Sequence, residues 1–184
     1  MSKNRENPSA VRSRIALVDA LISLMEEKSF KKISIQEITD TAGLSRQTFY
    51  TNFKTKEDII NHAFVKLFEI LDIQDEKDVQ FFLKYFRFWE KQKVILKPLF
   101  LQSLDFLFLE RNMEYFFKHS NYIRNVFNIS KEDSSYIVGY LSNLTYIMLR
   151  IWIIEGGEKN IDEVCDITLS LLNGNYFKNS KVKR

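Results

Sequence analysis

From about Ala10 to Lys28 the apolar residues Ile15, Val18, Leu21, Ile22 and Met25 recur at three- and four-residue steps, the period of a helix with one buried face. Phe30 and Ile33 follow and are expected to close that helix onto the next segment. In SIQEITDTAGLSRQTFYTNF (34–53) Ile35 and Ile38 make a short apolar stripe that Ala42 and Leu44 extend into a turn, and Phe49 and Phe53, four apart, face inward from a second short helix. KTKEDIINHAFVKLFEIL predicts a long fourth helix. Farther on, Tyr136, Ile137, Tyr140, Leu141, Leu144, Ile147, Met148, Ile151 and Trp152 form a broad apolar band. A last helix carries Ile161, Val164, Cys165, Leu171 and Leu172 on one face, with Thr168 in mid-stripe. The pattern is helical throughout, so the expected fold is all-α.

Cap chemistry sharpens the boundaries. Ser34 with Glu37 three residues on is a capping box, Ser45 is the next N-cap, and Gly43 suits the left-handed residue that ends the helix between them. Thr55 with Asp58, Ser130 with Asp133 and Asn160 with Glu163 repeat the start signal, and the Ser130 start predicts a helix to about Glu155. Gly156 and Gly157 end that long helix, and Pro98 is expected to break one and mark a joint. Residues 1–10 read as a flexible arm. There Lys3 and Arg5, with Arg12 and Arg14 just inside the first helix, either lie near phosphates or belong to a solvated end.

Composition adds exclusions. Only 5 Gly and 2 Pro in 184 residues leave little turn chemistry for a many-stranded sheet. The single cysteine, Cys165, forms no internal disulfide and fits a reducing compartment, and His62 and His119 lie too far apart for metal-ligand spacing. No cofactor or metal is expected. No Ser/His/Asp set or phosphate-cradling loop is present, which argues against an enzyme. Charged residues interrupt each apolar run before the roughly 18 residues a membrane span needs, and MSKNRENPS lacks an apolar signal core, so a cytoplasmic protein is expected. The net charge of +3 is too small to disclose a nucleic-acid partner by itself.

The polar face of the second short helix does disclose one. Arg46, Gln47, Thr48, Tyr50, Thr51 and Asn52 surround the inward Phe49, the chemistry of a helix that reads a DNA major groove. Lys56 stands in the first turn of the fourth helix, where the dipole disfavours a cation, and a nearby phosphate would explain it. A second region is unusual: fourteen aromatic residues fall between Phe81 and Phe127. Phe82, Phe86, Trp89, Phe106, Phe108 and Tyr115, with Tyr140, either line a cavity for a flat apolar molecule or fill a core; spacing does not separate the two. The last two helices carry more apolar surface than one subunit needs, which marks an interface through Tyr136, Tyr140, Leu144, Met148, Ile151, Ile161, Val164, Thr168 and Leu171.

AGLSRQTFYTNFKTKEDII resembles the signature Ala-Gly-x-Ser-x-x-x-(Leu/Phe)-Tyr-x-x-Phe-x-(Ser/Thr)-Lys-Glu of the tetracycline-repressor (TetR) family of transcription regulators at every fixed position. RIWIIEGGEKNIDEV is similar, more loosely, to a Trp-Ile-x-x-Gly-(Gly/Met) pattern of some members. The resemblance implies about nine helices, with a DNA-binding domain over 11–71 that holds the helix-turn-helix 34–53. It also implies an effector-binding and dimerisation domain over 72–184. Arg46, Gln47 and Thr48 then occupy base-facing positions, and Tyr50, Thr51, Asn52 and Lys56 match backbone contacts. Ser34, Gln36 and Ser45 stand at the helix starts that meet the DNA. The partners implied are double-stranded DNA with a palindromic operator, a second copy of the chain, and a small hydrophobic effector that releases a repressor. A DNA binder without such an effector, answering to a protein partner or acting as an activator, is the alternative. Three positions depart from common family usage: Ser34 for Thr, Thr39 for Ala, and Gln47 for Gly or Pro.

Overall fold

The structure, a computed structural model, describes residues 7–72 and 79–175. It is all-α, and the chain divides into two compact units, Met1–Leu67 and Phe68–Arg184. Ten α-helices lie among the described residues, where the resemblance implies about nine.

In the first unit α1 (Pro8–Glu27) starts on Asn7, whose side chain accepts from the Ser9 amide at 3.0 Å. Pro8 takes the first helical position, where a missing N–H costs nothing. Residues 7–10, expected in the arm, are therefore a cap and a first turn; Lys3 and Arg5 lie outside the described residues. Leu17, Ala20, Leu21, Ile22 and Met25 are the buried face. Ile15, expected on that face, is 56% exposed. It shares a side with Ile22 but sits two turns nearer the helix start, where that side is left uncovered. After a 3-10 turn (Phe30–Lys32) come α2 (Ile35–Ala42), α3 (Arg46–Asn52) and α4 (Lys56–Ile70), which runs through the unit boundary. Gly43 adopts φ 65°, and the Leu44 amide donates to the Thr39 carbonyl at 2.9 Å. The Thr39 side chain is fully buried, and its hydroxyl is satisfied by the Gln36 carbonyl at 2.9 Å, so the departure from Ala leaves no orphan.

The second unit holds α5 (Val79–Lys91), α6 (Lys93–Leu101), α7 (Phe106–Lys118), α8 (Ser120–Phe127), α9 (Ser134–Ile154) and α10 (Ile161–Leu172). Pro98 does not break a helix; it lies inside α6. Its ring removes only one i→i−4 bond, and the joints fall at Gln92 and at 102–105 instead. The Ser130 start signal is real, since its hydroxyl accepts from the Asp133 amide at 3.0 Å, but it closes a turn and α9 begins at Ser134. Helix α9 packs on α6, α7, α8 and α10 and is the axis of the unit.

By length and composition alone α9 is apolar enough to cross a membrane, with a mean hydropathy of 1.5 over its most apolar window, contrary to the expectation that charges interrupt every such run. Arg150 is its one charge. Val138, Leu141, Leu149 and Ile153 are nevertheless buried against neighbouring helices, as in a core helix. Its polar groups anchor the packing. Tyr85 donates to Asn112 Oδ1 at 2.7 Å, and Asn112 Nδ2 donates to the Ser142 carbonyl at 2.8 Å, all inside the core. Asp105 accepts from Tyr146 at 2.7 Å and from Arg150 Nε at 2.6 Å.

Candidate nucleic-acid interface

Helix α3 is held by two buried rings and offers the rest of its surface outward. Phe49 and Phe53 are buried, with centroids 6.3 Å apart, while Arg46, Gln47, Tyr50 and Thr51 are exposed. The start of the helix is fixed by Ser45, whose hydroxyl accepts from the Thr48 amide at 3.0 Å and lies 2.9 Å from the Thr48 hydroxyl. Tyr50, 54% exposed, rests edge-on against Phe49 at 5.2 Å, which sets the ring while leaving the face open.

The polar side chains divide by whether their hydrogen-bonding capacity is already used. The Thr51 hydroxyl donates to the Gln47 carbonyl at 2.8 Å, and Asn52 Nδ2 donates to the Thr48 carbonyl at 2.8 Å. Asn52 Oδ1 also accepts from Arg14 at 3.5 Å. Gln36 is exposed on α2, and its amide donates to Asp40 at 2.7 Å. Ser34 is tied into the capping box with Glu37: its amide donates to Glu37 Oε2 at 2.8 Å, and Lys28 pairs with the other carboxylate oxygen. The Lys28 ammonium, then the Ser34 amide, hold the Glu37 carboxyl down at about 2. Among the described residues the Gln47 side-chain amide has no hydrogen-bond partner.

Lys56, expected near a phosphate, has partners within the chain. Its ammonium donates to the carbonyls of Phe30 at 2.7 Å and Ile33 at 2.6 Å and sits 4.5 Å from the centre of the Phe30 ring. Main-chain oxygens of the turn before α2 supply compensating negative ends at this helix start. Nothing in the local sequence pattern connects positions 23 and 26 residues apart.

In the second unit, Phe82, Phe86, Trp89, Phe108 and Tyr115 are buried. They form a ring-on-ring cluster, with Phe68–Trp89 and Trp89–Phe108 centroids each 4.8 Å apart and Phe68–Tyr115 at 5.2 Å. The Tyr115 hydroxyl donates to the Leu71 carbonyl at 2.8 Å, and burial raises its pKa. Phe106 and Tyr140, expected among them, are 55% and 52% exposed, so they line no interior site. The expected interface splits as well. Leu144, Ile161, Val164 and Thr168 are buried in their own unit, because α9 and α10 pack on one another and α10 on α5. Tyr136, Tyr140 and Ile151 are exposed; Met148 and Leu171 are half-buried. With Ile147 and Ile154, which sequence reading did not single out as interface, the exposed residues fall at steps of 4, 7, 4 and 3 along one side of α9.

Fold and site together define an all-helical helix-turn-helix protein. Residues 17–63 match the family of bacterial regulatory proteins described as the tetR family. A curated relative, the HTH-type dhaKLM operon transcriptional activator DhaS of Lactococcus lactis subsp. lactis (strain IL1403), is 27% identical over 105 residues. That match spans 55% of this chain and 52% of the relative, about half of each. Among solved structures, Lin0861 from Listeria innocua superposes with a TM-score of 0.72 at 14% identity over 97% of both chains. A dihydroxyacetone kinase operon activator, DhaS, superposes with a TM-score of 0.61 at 21% identity, covering 89% of this chain and 95% of its own. At those identities the structural likeness is one of fold.

Proposed function

We propose that this chain is a sequence-specific DNA-binding transcription regulator that acts as a homodimer on a palindromic operator. The carrying observation is the outward ridge of α3, where Arg46, Gln47 and Tyr50 project from a backbone pinned by buried Phe49 and Phe53. Gln47 pairs bidentately with adenine N6 and N7, and Arg46 with guanine O6 and N7 or a phosphate. Tyr50, Thr51 and the caps at Ser34 and Ser45 set register on the sugar-phosphate backbone without reading sequence. One such helix covers too few bases to select a site, so two copies reading an inverted repeat are required. The exposed α9 stripe through Tyr136, Tyr140, Ile147, Ile151 and Ile154 supplies an apolar surface on which two copies meet about a two-fold axis.

Two modes of control follow. In one, the protein represses and a small hydrophobic molecule among the aromatic residues releases it, which requires tighter binding of that molecule to the released form. In the other, the chain works without such an effector, under a protein partner or as an activator. The second is favoured by the direct ring-to-ring packing around Trp89 and Phe108, and by relatives that are named as operon activators. Selection of duplexes from a random library with the full-length protein tests the function. Recovery of an inverted repeat with half-sites about 34–36 Å apart is expected; an unselected pool after repeated rounds overturns it.

A further inference from the structure

A groove of about 280 Å³ opens between the first turn of α1 and the outer side of α3. Asn7, Ser9, Ala10 and Ser13 form one wall; Ser45, Gln47, Thr48, Thr51 and Asn52 form the other. Its lining contains hydroxyls and amides, one methyl side chain and no carboxylate. Neither α1 nor α3 carries an acid in its first turn, in contrast to α2, α4 and α10. The charge bonded to the lining is a cation, the Arg14 guanidinium on Asn52.

Much of the α3 wall is already committed, since Ser45, Thr48, Thr51 and Asn52 bond to one another or to their own backbone. Among the described residues the hydroxyls of Ser9 and Ser13 and the Gln47 amide have no hydrogen-bond partner. Two uncommitted hydroxyls, those of Ser9 and Ser13, in a concavity without acids and beside a cation, are complementary to an anion with several acceptor oxygens.

We propose that this groove seats a phosphodiester of the DNA backbone, bound by Ser9 and Ser13 of α1 beside the Gln47 amide. The proposal rests on the DNA-binding reading of α3 and adds the start of α1 to the surface that positions it. A strand seated there lies against one flank of the α3 ridge, so the backbone contact and the base-reading residue share one wall.

The test uses the full-length protein and a duplex selected by the wild type, with a scrambled duplex of equal length. Ser13→Ala is expected to weaken both by about 3- to 10-fold, the net worth of one ordinary hydrogen bond. Ser13→Glu is expected to weaken both by about tenfold or more, through repulsion at close range. Ser23→Glu makes the same charge change about 15 Å farther along α1, beyond the screening distance at 0.1 M salt, and is expected to stay within about twofold. A walk of single neutral methylphosphonate linkages should find one position whose effect disappears in Ser13→Ala. Thermal melts of each variant control for folding. If Ser13→Ala and Ser13→Glu both bind within twofold of wild type while Gln47→Ala loses its base preference, the groove holds no phosphate and the DNA-binding reading stands. If the wild type itself prefers no duplex, both readings fall.

Discussion

The Lys56 ammonium donates to the carbonyl of Ile33 at 2.6 Å, joining the first turn of α4 to the residue that precedes the cap of α2. With its second bond to Phe30, it ties the entry of the helix-turn-helix to its exit. Lys56→Met is therefore expected to cost about 1–3 kcal/mol of stability, since two carbonyls lose a charged donor. The salt dependence of DNA binding by the folded fraction should be close to wild type. A melting curve and a salt titration check this. An unchanged melting temperature with a salt slope reduced by about one would return Lys56 to the phosphate contacts.

Gln47→Ala removes a side-chain amide that has no hydrogen-bond partner among the described residues and is exposed. Stability should be unaffected. Preference at one base pair in each half-site should fall by about 1–3 kcal/mol, measured by competition among single-base variants of the selected duplex. A uniform loss across all variants would mean that Gln47 touches only the backbone.

The α9 stripe and the buried α10 face separate two kinds of charged substitution. Ile147→Lys and Ile151→Lys lie on the exposed stripe and are expected to give folded monomers that no longer bind the inverted repeat. Val164→Lys places a charge in the packed interior and should unfold the second unit. Sedimentation with circular dichroism distinguishes the outcomes; a dimeric, DNA-binding Ile147→Lys, Ile151→Lys double variant would remove the stripe from the interface.

Acid should loosen the helix-turn-helix through Glu37. Its carboxyl is lowered from 4.5 to about 2 in the folded chain, by Lys28 first and the Ser34 amide next. The unfolded chain therefore binds the proton more readily. The contribution is present above about 4.5 and is lost as pH falls through about 2. Glu37→Gln should flatten the pH dependence of the melting temperature across that window, and an unaltered slope there would show that the pairing does not form.

How much of this was legible in the sequence varies with the range of the interaction. The capping boxes at Ser34–Glu37 and Asn160–Glu163, the left-handed Gly43 and the inward pair Phe49 and Phe53 all arise from contacts within one or two helical turns, and each is found where expected. The two carbonyl bonds of Lys56 were not legible because its partners lie a whole helix-turn-helix away. Ile161, Val164 and Thr168 were misassigned for a different reason: periodicity reports that a face is covered, not whether the cover is the same chain or another. Phe106 and Tyr140 share that ambiguity in reverse, since aromatic composition marked them as interior although α7 and α9 turn them outward. At the start of the chain, Pro8 read as an arm because the Asn7 cap before it went unrecognised.

The most direct measurement is the affinity of the purified protein for its selected inverted repeat against a scrambled duplex at one fixed, physiological salt concentration. Reading of bases by exposed α3 side chains calls for a ratio of about 10³ or more, with two chains per duplex. Equal affinities at that salt, or binding by one chain alone, would contradict it.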